Sequence, residues 1–151
     1  MLLYYEKPTE YENTKEAILA VADRYSLSDL RSVVTDLDAI KTRFTWPGAA
    51  EEALQGHTIP FIQGILSQIP NKQAKSAIIP LLNPFLKNWF EMVKHICSQK
   101  TLGYLNEKGF SHIDNPIQYH AIKWLINRPE IDTVLLGMRS VPYVKETLTL
   151  L

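Results

Sequence analysis

The sequence predicts a mostly α-helical chain with a minor β component. Two observations lead there. Apolar residues recur at three- and four-residue steps through most of the chain, enough for about six or seven helices. One segment, residues 131–136, is instead β-branched and apolar along its length, the pattern of a buried parallel strand. No internal repeat, low-complexity tract or Gly/Ser linker divides the 151 residues. A single unit over 1–151 is therefore expected, with a helical segment over 1–110 and a helix–strand–helix segment over 111–151. That length suffices for one hydrophobic core, and an apolar content of 46% argues for folding rather than disorder.

Residues 1–5 are short, aromatic and apolar, a candidate strand that Pro8 would stop. From Tyr11 the spacing turns helical, with Ala17, Ile18, Val21, Ala22 and Tyr25 on one face. Ser26, with Asp29 three residues on, has the form of an N-cap. The helix it would open carries Leu30, Val33, Val34, Leu37, Ile40 and Phe44, with Asp29, Asp36, Asp38, Lys41 and Arg43 mostly off that stripe. Trp46-Pro47-Gly48 is its expected end. A short helix over 49–54 should stop before Gly56, and Thr58-Ile59-Pro60 can start another, since Pro is tolerated in a first turn. Its buried side is Ile62, Ile65, Leu66 and Ile69, and Pro70-Asn71 should break it.

Residues 72–98 read as helix interrupted at Pro80 and Pro84, because an interior proline removes a hydrogen bond and clashes with the preceding turn. The longer piece, from Asn83 or Pro84 to about Ser98, buries Phe85, Leu86, Trp89, Met92, Val93 and Ile96. Residues 101–106 add a turn or two, and Gly109 is a stop. Asn115-Pro116 reads as cap plus first helical position, Ile117 to Leu125 as the helix, and Arg128-Pro129 as its end. After the strand at 131–136, Ser140-Val141-Pro142 opens a last helix.

Sixteen basic and sixteen acidic residues cancel, so no net charge draws the chain toward nucleic acid or an anionic membrane. No apolar run approaches the ~20 residues of a membrane span. The start has neither the basic residues nor the apolar length of a signal peptide. Cys97 is the single cysteine, in keeping with a reducing compartment such as the cytoplasm, and its apolar helical setting makes it a packing residue. His57, His95, His112 and His120 form no metal-ligand spacing. Trp46, Trp89 and Trp124 suit core or helix-contact roles, and Glu51-Glu52 a solvated helix face.

The chemistry of greatest interest lies where the strand meets the last helix. Gly137, Met138, Arg139 and Ser140 would carry the chain into a helix N-terminus, whose free N–H groups and dipole favour a phosphate. Gly137 would allow close approach, Arg139 could pair bidentately with a phosphate, and Ser140 could cap the helix or donate its hydroxyl. A plain strand-to-helix turn with Arg139 on the surface is the competing interpretation.

Tyr119-His120-Ala121-Ile122-Lys123-Trp124-Leu125, then Arg128-Pro129 and the run from Ile131 to Ser140, resembles the final repeat of the aldo-keto reductase family. In that family a helix with Ala-x-x-Trp-Leu precedes the eighth barrel strand and a Gly-x-Arg-Ser/Thr turn that grips the adenosine phosphate of NADP(H). The resemblance implies a partial (β/α)8 (TIM) barrel: a C-terminal region with a helical insertion. It implies that Gly137, Met138, Arg139, Ser140, Tyr143, Glu146 and Thr147 contact NADP(H). Glu146 matches the family's acidic residue near the adenine. Tyr143 stands where the family usually has Gln or Arg, and Thr147 where it usually has Asn. A complete barrel typically needs ~250 residues, and the family's Asp, Tyr, Lys and His catalytic residues have no counterparts here.

The expectation is thus a cytoplasmic oxidoreductase fragment, or a truncated relative, that holds the cofactor for a small carbonyl or alcohol substrate. Its catalytic half would lie elsewhere, and the isolated chain would self-associate through its unpaired strand edge. The alternative is a helical interaction module with neither cofactor nor catalysis.

Overall fold

A computed structural model describes residues 7–109, 117–133 and 145. The chain divides into two compact units, one of residues Glu6–Lys100 and the other of Met1–Tyr5 with Thr101–Leu151.

In the first unit, α1 (Tyr11–Arg24) and α2 (Ser28–Ile40) form an antiparallel-type hairpin whose facing stripes are those the spacing predicts. Ile18 and Ala22 are buried from α1, and Leu30, Val33, Val34 and Leu37 from α2. The link between them corrects the expected N-cap. Ser26 does not cap α2: it ends α1 with φ at +55°. Its N–H donates to the carbonyl of Asp23 (3.2 Å), and the N–H of Leu27 donates to that of Ala22 (2.8 Å). These are the two hydrogen bonds of a Schellman stop, here with serine in the left-handed position that glycine usually takes. α2 ends at Ile40, short of Trp46.

Pro47 therefore opens the next helix instead of ending the last one. α3 (Pro47–Ala53) runs through a π turn (Leu54–Thr58) into α4 (Ile59–Gln68) without a stop at Gly56. The π turn is marked by the N–H of Ile59 donating to the carbonyl of Leu54, five residues back. It sits just before Pro60, whose ring would clash with the Gly56 carbonyl in a regular helix. The wider turn lets the chain pass proline and remain helical. Ala50, Leu54 and Ile62 are buried from this run, with Ile69 just beyond it, while Ile65 and Leu66 pack partly against the core.

Helix α5 (Lys72–Glu107) is continuous, against the expected break at Pro80 and Pro84. Asn71 caps it: its Oδ1 accepts from the N–H groups of Gln73 (2.9 Å) and Ala74 (3.2 Å). The two prolines are four residues apart and share an exposed face with Ser76. The carbonyls they leave without an intrahelical donor belong to Ser76 and Pro80, so water can satisfy them. The opposite face carries Ala74, Ile78, Leu82, Phe85, Trp89, Val93 and Cys97, all buried. Burial of that stripe outweighs two missing bonds on the wet side. Gly109, with φ at +87°, follows the helix end.

The second unit contains the end of α5 and α6 (Ile117–Ile126), which falls where the spacing predicts. Beyond it the described residues hold no β component. Residues 131–133, the described part of the expected strand, are irregular backbone with a bend at Asp132, and the N–H of Ile131 donates back to the carbonyl of Arg128 (3.1 Å). No strand occurs among the described residues, so the partial TIM barrel is overturned. A strand exists only where a neighbour takes up its backbone N–H and C=O groups. β-branched residues alone do not supply that neighbour. The helical middle of the chain is a core in its own right, not an insertion between barrel strands. The candidate strand at 1–5 lies outside the described residues, as do residues 134–136.

Candidate functional site

The residues expected to hold a cofactor, Gly137, Met138, Arg139, Ser140, Tyr143, Glu146 and Thr147, all lie outside the described residues. So does the side chain of His120, as does the whole of His112. The sites that can be built from geometry lie in the unit of Glu6–Lys100.

The first joins α1 to α2. Tyr11 opens α1 and is fully buried, its ring stacked on Phe85 with centroids 6.2 Å apart. Its hydroxyl donates to Asp38 Oδ1 at 2.6 Å. One turn beyond Tyr11, Lys15 reaches the same carboxylate at 3.5 Å and pairs with Glu12 at 2.5 Å. Lys41, one turn beyond Asp38, completes the cluster with a second ion pair. Both ammonium groups also lie over the Tyr11 ring, at 5.5 and 5.6 Å from its centre, where the ring's negative face attracts a cation.

The electrostatics follow from these contacts. Burial pushes the Tyr11 hydroxyl well above its ordinary range, and the hydrogen bond and charge of Asp38 push it further. Burial alone would raise the Asp38 carboxyl, but hydrogen bonds from Lys41 and Tyr11, with the charges of Lys41 and Lys15, hold it below the usual value. Burial would lower Lys15, yet Glu12 and Asp38 outweigh it and hold Lys15 high. A tyrosine with a nearby lysine and aspartate has the residue types of a proton-transfer site. Here, however, the hydroxyl is sealed from solvent, committed to a carboxylate and made a weaker acid. The cluster is a clasp between helices.

Further polar contacts hold α2, and the chain leaving it, to α5. Trp89 Nε1–H donates to the Leu37 carbonyl at 2.7 Å, and its ring meets Phe44 edge-on at 5.8 Å. Lys100 donates to the carbonyls of Thr42 and Phe44, holding the chain that leaves α2. The Cys97 thiol lies 3.6 Å from the Phe44 carbonyl, and burial raises its pKa, with Lys100 only partly opposing. It is the inert packing thiol that its setting implies.

An open cleft of about 200 Å³ lies between the start of α2 and the end of α4, lined among others by Ser26, Ser28, Asp29, Gln68 and Ile69. Asp29 places a carboxylate at the α2 N-terminus, so this helix start already has its negative partner and is poorly suited to an anionic ligand.

The third feature is the outward side of the run from Pro47 to Gln68. Residues 53–71 contain no Asp, Glu, Lys or Arg, whereas 21% of the whole chain is charged. Gln55, His57, Phe61, Gln63, Gly64 and Gln68 face outward there, and Phe61 is 61% exposed. Trp46, at the entry to α3, is also exposed, and so is Trp124 on α6, whose ring lies 4.2 Å from the Arg128 guanidinium. Of the three tryptophans, only Trp89 belongs to the core.

Spacing placed Leu37 and Trp89 on their buried faces but missed the clasp. Asp38 was expected off the stripe, and Tyr11 only marked where the helix begins. The available signal was local: a lysine four residues after Tyr11 and another three after Asp38, each on the same helix side as its partner.

Among the described residues, no group of three or more His, Cys, Asp or Glu could hold a metal ion. None of the described helices is long and apolar enough to cross a membrane. No known protein family, curated protein or solved structure matches the chain.

Proposed function

We propose that the chain is a helical interaction module that binds another protein and carries out no catalysis of its own. The observation that carries this reading is the charge-free outer face of 53–71 with Phe61 at its centre. A large aromatic side chain on a surface without charges has much to gain from being covered, and such residues anchor protein interfaces. The polar contacts between helices support the same reading, because Tyr11 with Asp38 and Trp89 with the Leu37 carbonyl each join one helix to another. A single cysteine, the buried Cys97, suits a module that works in the cytoplasm.

The test places a photoreactive benzoyl-phenylalanine at position 61 in cells, and at exposed Glu12 as the control. One protein should crosslink through position 61 and not through position 12. Once purified, that protein should bind Phe61→Asp at least ~30-fold more weakly than wild type, the loss of a hot-spot contact of about 2 kcal/mol. Equal crosslinking at both positions, or unchanged affinity of Phe61→Asp, overturns the reading.

A second reading concerns the C-terminal segment and rests on the order Gly137, Met138, Arg139, Ser140 after Trp124-Leu125. In it, this turn takes the adenosine phosphate of NADP(H), with Tyr143, Glu146 and Thr147 toward the adenine. Arg139→Ala would then weaken NADPH by roughly ten- to hundredfold, the ~1.5–3 kcal/mol of a charge-assisted contact, and leave NADH little changed. Fluorescence titration that finds no NADPH binding, or no difference in the variant, removes it.

A further inference from the structure

We draw no further inference here: the strongest candidate, the charge-free outward face of the π turn (Leu54–Thr58) and α4 (Ile59–Gln68), carries nothing beyond the docking role already proposed, because nothing in the structure shows what covers it.

Discussion

Replacing Tyr11 with phenylalanine tests whether the clasp holds α1 to α2. The ring keeps its stack on Phe85, so the loss isolates the hydroxyl. A hydrogen bond to an ionised group contributes ~1.5–3 kcal/mol. Asp38 is 31% exposed in its side chain and keeps Lys15 and Lys41, so water and the lysines recover part of that. The expected cost is about 1.5 kcal/mol. For a cooperative unit of this size, each kcal/mol lowers Tm by roughly 4–8 °C, giving a fall of about 6–12 °C.

A double-mutant cycle with Asp38→Asn should show a coupling of ~1 kcal/mol, measured by urea unfolding. The pH dependence has two signs. The lowered Asp38 pKa stabilises the fold above the unfolded carboxyl value of ~3.9, and this contribution is lost as pH falls below it. The raised Tyr11 pKa means its contribution is complete below the unfolded tyrosine value of ~10 and is lost as pH climbs above it. The gap between wild type and Tyr11→Phe should therefore narrow between pH 9 and 11. A gap that stays constant over that range, together with a coupling below ~0.3 kcal/mol, would refute the clasp.

Two further substitutions probe the chain's helix ends and breaks. Ser26→Gly should raise stability by about 0.5–1 kcal/mol, because glycine takes the left-handed backbone of the Schellman stop without strain; unchanged or lower stability in chemical denaturation would show that φ at +55° costs serine nothing here. Pro80→Ala should stabilise by ~2 kcal/mol, since it restores a donor to the Ser76 carbonyl within α5 and removes the ring clash, less the entropy that proline takes from the unfolded chain. Loss of helical circular dichroism signal in that variant would mean that proline shapes the helix instead of being tolerated by it.

The sequence alone determined which faces are buried. Spacing of three and four picks out Ile18 and Ala22, Leu30 to Leu37, Ile62, and Phe85 to Val93, because an α-helix brings such residues to one side whatever they pack against. Tertiary structure decided where helices stop. Pro80 and Pro84 mark a break when only local bonding is considered, yet their lost bonds fall on the wet face while the dry face has a core to fill. Pro60 is passed by widening one turn. Tertiary structure also decided the fate of the β-branched residues at 131–133, since a strand needs a neighbour that no local pattern can provide. The clasp was beyond the sequence for a related reason. Tyr11 and Asp38 are 27 positions apart, and a charge looks solvated on its own helix until a second helix brings a buried hydroxyl to it. Periodicity reports one helix against an unspecified core; the choice among stops, strands and buried polar pairs depends on the neighbours that folding supplies.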